Sequence, residues 1–153
     1  MQIVILSVGK LKEKFWREAE AEYKKRLQSF ASLSLEEVSD EAGDQVGRIK
    51  AVEAARVLER IRDRDFVIAL DAKGTKFTSE AFARYLEDVF TKGASRYVLV
   101  IGGSHGLDAS VLSRADLLLS FSDFTFPHQF MRIILLEQLY RSFQIMRGTK
   151  YHK

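Results

Sequence analysis

Two short, nearly unbroken apolar runs constrain this chain most: Phe66-Val67-Ile68-Ala69-Leu70 and Tyr97-Val98-Leu99-Val100-Ile101. Neither alternates apolar with polar residues, as a strand with one wet face does. A strand apolar on both faces must be covered on both faces, which is the situation in a parallel sheet sandwiched by helices. Strands are expected at residues 2–8, 33–38, 65–70, 96–101 and about 116–120. The stretches between them change period. Trp16, Ala19, Tyr23, Leu27 and Phe30 recur at three- and four-residue steps. So do Ala51, Ala54, Leu58 and Ile61, and again Phe82, Tyr85, Leu86, Val89 and Phe90. Those steps place apolar side chains on one stripe of a helix. Thr78 offers a hydroxyl cap at the head of the third helix, and Gly93 is placed to end it. A short helix is expected after Asp108 and a long one after Pro127. Strands alternating with helices give an α/β fold, and 153 residues point to one domain spanning 1–153.

Composition narrows the function more by exclusion than by indication. There is no cysteine, so disulfides and thiolate-metal sites are ruled out; this fits a cytoplasmic location. The segment Met1-Gln2-Ile3-Val4-Ile5-Leu6 reads as a first strand, and no apolar stretch approaches the ~20 residues needed to span a bilayer. No membrane association is expected. Net charge is +3, a mild basic bias that permits a nucleic-acid partner without requiring one. Its distribution says more. Residues 36–44 hold five acids and no base, whereas the chain from Arg141 onward carries Arg141, Arg147, Lys150 and Lys153 and no acid.

The helix after Pro127 is unusual. Phe130, Met131, Ile133, Ile134, Leu135, Leu136, Leu139, Tyr140, Phe143, Ile145 and Met146 cover far more than one stripe. A helix apolar around most of its circumference is buried on more than one side. A homodimer partner is the preferred source of the second cover; a central position within one protomer is the other.

Chemistry-bearing motifs cluster at strand ends. The run 97–101 enters Gly102-Gly103-Ser104-His105-Gly106, and glycines let a backbone approach a ligand because no Cβ intervenes. The spacing is not that of a dinucleotide fingerprint, although Asp123 follows about 20 residues on, where a ribose-binding acid stands in such sites. A second aromatic-marked loop, Phe121-Ser122-Asp123-Phe124-Thr125-Phe126-Pro127, closes the same region. No Walker sequence and no Gly-x-Ser-x-Gly elbow is present, which leaves nucleoside triphosphate chemistry and acyl hydrolysis without support. His105, His128 and His152 lack metal-ligand spacing. His128 reads as a helix-start or packing residue and His105 as a solvent-facing one, while His152, beside Tyr151, is the candidate proton handler. The tail 147–153 mixes cations with an aromatic ring, a combination suited to phosphates and unstacked bases and also to a plain basic terminus.

Four separated segments carry a resemblance. They are Val8-Gly9-Lys10-Leu11-Lys12-Glu13-Lys14-Phe15-Trp16, then Val100 to Leu107, Leu118 to Gln129, and Ile145 to Lys153. In this order the chain resembles the large-subunit ribosomal RNA methyltransferase H family, the bacterial pseudouridine N3-methyltransferases of the SPOUT class. The resemblance implies an α/β fold with a C-terminal trefoil knot, S-adenosylmethionine as cofactor and a homodimer. It implies methylation of a pseudouridine in helix 69 of 23S rRNA within the assembled 70S ribosome. It places cofactor contacts at Leu70, Gly102 and along Phe121, Ser122, Asp123, Phe124, Thr125 and Phe126. For the chemistry, His152 and Tyr151 stand as catalytic candidates, and Arg141, Arg147, Lys150 and Lys153 as RNA contacts. No metal is expected. Two rival readings remain: a non-catalytic RNA-binding protein of the same fold, and a dinucleotide-dependent oxidoreductase.

Overall fold

The computed structural model describes residues 1–153. Five strands form one sheet: β1 Gln2–Val8, β2 Ser32–Val38, β3 Phe66–Lys76, β4 Arg96–Ile101 and β5 Leu117–Ser120. Their order is β2-β1-β4-β3-β5 and every pair is parallel. Five helices connect and follow them: α1 Lys14–Leu27, α2 Val46–Leu58, α3 Ser79–Thr91, α4 Ala109–Arg114 and α5 His128–Met146.

The side-chain period of two sorts the core into two layers. Ile3, Ile5, Ile68, Leu99 and Ile101 face α1, α3 and α5, with Leu27, Leu86, Leu135 and Leu136 packed against them. The alternate residues Val4, Leu6, Val67, Ala69, Val98 and Val100 face α2 and α4, meeting Ala54, Val57 and Val111. The Thr78 hydroxyl accepts a hydrogen bond from the Ala81 N–H, and Asp108 does the same for Ser110 at the head of α4. Gly93 adopts φ +83° just past α3, a conformation that favours glycine.

Three features depart from the sequence reading. First, β3 does not stop near residue 70 but runs to Lys76. Its pairing with β5 shifts register between Leu70 and Thr75, and the slack bows out at the carboxyl edge of the sheet. Gly74 makes this possible: a Cβ there would lie 2.6 Å from the Leu118 carbonyl carbon. Second, the buried face of α2 is Ile49, Glu53, Ala54 and Val57; of the expected stripe Ala54 is buried, Leu58 and Ile61 pack against the core, and Ala51 is exposed. A buried carboxylate, Glu53, sits where a pattern of apolar residues cannot foresee it, and accepts a hydrogen bond from the Glu41 N–H at 3.0 Å. Third, α5 finds its covers within the protomer. It lies on the sheet between α1 and α3, and from Met131 to Met146 no residue is exposed. The apolar circumference of α5 therefore does not by itself require a partner subunit.

The topology also creates a crevice. From β1 the chain leaves over one face by α1, toward one edge. From the adjacent β4 it leaves over the other face by α4, toward the opposite edge. Neighbouring strands whose connections diverge leave a gap at their carboxyl ends, which is where ligands bind in open α/β sheets.

Candidate active site

A cavity of about 500 Å³ opens at that edge. The middle of β3, where its register shifts, and the ends of β4 and β5 build it. β3 contributes Leu70, Asp71 and Ala72; β4 contributes Ile101 and the loop Gly102 to Gly106; β5 contributes Leu119, Ser120 and the loop Phe121 to Phe126. Pro127, His128 and Met131 at the start of α5 close the remaining side. All eight residues singled out as cofactor contacts, Leu70, Gly102 and Phe121 through Phe126, thus line one wall or another of a single cavity.

The glycine loop is tightly folded. Gly103 and Gly106 form an antiparallel bridge, the Gly106 N–H donating to the Gly103 carbonyl at 3.0 Å. A Cβ on Gly102 would stand 2.9 Å from the Gly106 carbonyl carbon, so the loop folds back onto Gly102 itself. A Cβ on Gly103 would meet Val8 at 3.3 Å and the Glu53 carboxylate at 3.4 Å. The loop is therefore held against the end of β1 and the buried acid. The opposite wall is tied down by an ion pair between Lys76 and Asp123, both largely exposed. Such a pair contributes little energy but sets where the loop rests on the β3 extension.

Nothing in this loop suits a dinucleotide pyrophosphate. The helix that follows, α4, has only six residues, and its amino end is already occupied by the Asp108 carboxylate. Hydrogen bonds from the Ser110 hydroxyl and N–H pull that carboxyl below its ordinary range. A fixed negative charge where phosphate would dock counts against the nicotinamide reading.

The start of α5 behaves differently. Pro127 provides no side-chain cap; its carbonyl accepts from the Phe130 N–H at 3.0 Å, and the N–H groups of His128 and Gln129 are left without an intrahelical partner at the cavity's edge. His128 opens α5, as expected, and also belongs to the cavity wall; His105 is exposed, as expected, and lines the same space. Sequence reasoning assigned neither to the ligand cavity, nor Asp71 and Met131. The one available signal was that His128 heads a helix immediately after the aromatic loop.

The chain belongs to the SPOUT methyltransferase family. The model of that family, described as a predicted SPOUT methyltransferase, matches residues 1–152. SPOUT enzymes use S-adenosylmethionine to methylate RNA, and the parallel α/β sheet of this chain agrees with that family. The cavity fits the cofactor on its own evidence. It has the size of a small-molecule site, apolar walls from Leu70, Ile101, Leu119 and Phe121, a backbone-lined glycine wall and an open helix amino end for a carboxylate.

The remaining candidates of this SPOUT chain lie elsewhere. Tyr151 and His152 do not reach the cavity of their own protomer. Tyr151 packs edge-on against Tyr140, with centroids 4.9 Å apart, and donates from its hydroxyl to Glu137 at 3.1 Å. Burial and that acceptor push its pKa up. His152 is clamped between Glu80, 2.6 Å from Nε2, and Arg141, 3.2 Å from Nδ1. A guanidinium only donates, so Nδ1 is the accepting nitrogen and Nε2 carries the proton toward Glu80. Held this way, the imidazole has no free lone pair with which to take a proton from a substrate. Arg141 is itself engaged by Glu137 at 2.7 Å, and Arg147 lies 4.0 Å above the Phe30 ring. Lys150 and Lys153 are exposed and make no ion pair.

The contact of His152 with Glu80 latches the tail and is pH-sensitive. The hydrogen bond from His152 pulls the Glu80 carboxyl from its ordinary 4.5 to about 2. A depressed carboxyl stabilises the folded form fully above pH 4.5 and loses that contribution as pH falls toward 2. Between pH 5 and 2 the melting midpoint of Glu80→Gln is therefore expected to fall less than that of the parent. Equal slopes would show that the contact is not formed in solution.

Proposed function

We propose that this SPOUT enzyme methylates N3 of a pseudouridine in helix 69 of 23S rRNA within the assembled 70S ribosome, acting as a homodimer. The observation that carries the reading is the convergence of the β3 register shift at Leu70–Ala72 and the loops after Ile101 and Ser120 on one glycine-walled cavity. Support for the specific target comes from the resemblance of the segments at 8–16, 100–107, 118–129 and 145–153 to the pseudouridine N3-methyltransferases. The mild net charge of +3 is consistent with recognition shared with the ribosome's own surface. The close fit of Gly74 over Leu118 supports a C-terminal segment threaded beneath the β3 extension, as a trefoil knot requires.

When bound, S-adenosylmethionine supplies an activated methyl group on a sulfonium. The protein's work is to bind, orient and dry. Leu70, Ile101 and Leu119 would cover apolar surface of the cofactor, the Gly102–Gly106 backbone would offer hydrogen-bonding partners, and the amino end of α5 would hold its carboxylate. The acceptor N3 carries a proton that must leave. His152 is the candidate base and Tyr151 the group that orients it, but only once the tail swings from its latch on Glu80 and Arg141.

The distance of the tail from its own cavity supports a second copy as the recipient. So does a connected aromatic strip, Phe15, Trp16, Phe130 and Phe126, whose members Phe15 and Phe130 are exposed. In such a dimer, Arg141, Arg147, Lys150 and Lys153 would hold phosphates beside the partner's cavity. The alternative, an RNA-binding protein without catalysis, predicts RNA binding and no cofactor affinity.

The test is transfer of labelled methyl from S-adenosylmethionine to unmodified 70S ribosomes, beside isolated subunits and free 23S rRNA. Label on one pseudouridine, with 70S only, is the expected result. Transfer to free RNA at an equal rate would overturn the ribosomal target. His152→Ala is expected to lower kcat on saturating ribosomes by roughly 100-fold, within the range for loss of a general base. Full turnover would remove His152 from the chemistry.

A further inference from the structure

Four charged side chains are buried: Glu53, Asp65, Arg96 and Arg132. A buried charge is ordinarily paired, because the hydration it gives up must be replaced. Three of the four follow that rule. Asp65 and Arg96 pair with each other, and Arg132 lies between Glu20 at 3.1 Å and Glu37 at 2.8 Å. Glu53, only 6% exposed, forms no ion pair. Its hydrogen bond comes from a neutral donor, the Glu41 N–H at 3.0 Å. Arg56, one turn further along α2, is committed to the Glu41 carboxylate at 3.0 Å and to the Ser39 carbonyl at 2.9 Å. Lys50, one turn before Glu53, makes no pair with it either.

The unpaired carboxylate faces the wall of the large cavity from behind. Both of its oxygens lie 3.4 Å from where a Cβ on Gly103 would stand, and Gly103 lines the cavity. A single glycine thus separates an uncompensated negative charge from the ligand space. On the same face of α2, Ala54 and Val57 belong to the apolar layer under the sheet. Away from water the attraction between charges is stronger, with an effective dielectric of about 20 in place of about 80. The two acids in the cavity wall itself are already engaged. Asp123 is exposed and paired with Lys76, and Asp71 accepts from the Lys73 N–H at 3.1 Å.

We propose that Glu53 sets the charge preference of the cofactor cavity, favouring a cationic ligand over a neutral one of nearly the same shape. S-adenosylmethionine carries one net positive charge, since its ammonium and carboxylate cancel and the sulfonium remains. When the methyl passes to the acceptor nitrogen, that nitrogen gives up its proton and the electron pair of the broken S–C bond stays on sulfur. The S-adenosylhomocysteine left behind is neutral. A carboxylate fixed behind Gly103 therefore retains the methyl donor and releases the spent product. The inference rests on the assignment of S-adenosylmethionine to this cavity and deepens it.

Calorimetric affinities for S-adenosylmethionine and S-adenosylhomocysteine test it without turnover. Glu53→Gln removes the charge and keeps an acceptor for the Glu41 N–H. In that variant the preference for S-adenosylmethionine over S-adenosylhomocysteine is expected to fall about tenfold, the size expected for unit charges one residue layer apart. Glu53→Met, neutral and without an amide, gives the same shift, so either variant decides if the other does not fold. Sinefungin, which has a cationic amine in place of the sulfonium, follows S-adenosylmethionine. A shift below about threefold, including equal losses for both ligands, makes Glu53 a packing residue and overturns the proposal. Sinefungin following S-adenosylhomocysteine would trace the preference to the methyl group and overturns it too. If the parent binds none of the three ligands, the assignment of the cofactor to this cavity fails first, and the role of Glu53 falls with it.

Discussion

Arg96→Met is expected to destabilise the protein by about 3–5 kcal/mol, the usual cost of leaving one member of a buried ion pair alone. Arg96 opens β4 and pairs with Asp65, which lies just before β3; their side chains are 6% and 3% exposed. Arg96 also donates to the Arg60 carbonyl at 3.2 Å, and Asp65 accepts from the Arg62 N–H at 2.7 Å. Removing the guanidinium leaves a desolvated carboxylate with one backbone donor. The variant Arg96→Met/Asp65→Leu should recover much of the loss, because neither charge then remains buried. Urea unfolding with unchanged m-values checks both. A single-variant loss under about 1 kcal/mol would mean that the pair is hydrated like a surface salt bridge.

Gly102→Val is expected to weaken S-adenosylmethionine binding by about 100-fold, or about 2.7 kcal/mol, while the fold survives. The side chain would collide with the Gly106 backbone at 2.9 Å and with Leu107 at 3.0 Å. Neither the bridge between Gly103 and Gly106 nor the short helix behind it can give way cheaply. The loop must open, and the wall of the cavity moves with it. Overpacking of this kind costs typically 1–3 kcal/mol of stability, so the variant should still melt cooperatively. Calorimetric affinity within threefold of the parent would show that this loop does not form the cofactor wall.

These two sites mark what the sequence discloses and what it does not. Strands β1, β3 and β4 are legible because β-branched and leucine runs such as Val98-Leu99-Val100-Ile101 have no other stable place than a covered sheet. The extension of β3 through Asp71-Ala72-Lys73-Gly74-Thr75-Lys76 is not legible, since those residues have little strand preference. They pair because Gly74 admits the Leu118 backbone, a tertiary fact. The face of α2 is misread in part for a similar reason: Glu53 is buried through its bond to Glu41 and its place beneath Gly103. The apolar girth of α5 is read correctly as burial on several sides, but α1 and α3 supply the cover.

The site divides in the same way. The loops after Ile101 and Ser120 are legible as cavity-lining because glycines and aromatics at strand ends have few structural uses; Leu70, expected at a strand end, lines the cavity where β3 shifts register instead. His128 is not legible in this way, because a histidine after a proline serves equally well as a helix start. The engagement of His152 by Glu80, 72 residues away in the chain, and by Arg141 has no local pattern at all.

Where S-adenosylmethionine binds decides the function of the strand-end cavity. The direct measurement is titration of the isotope-labelled protein with the cofactor, followed by backbone amide shifts. Perturbations concentrated at 70–72, 101–106 and 119–128, saturating at one equivalent per chain, are the expected result. No perturbation, or shifts centred on Phe77, Phe82 and Ile134 instead, would contradict the assignment of the cofactor site to that cavity.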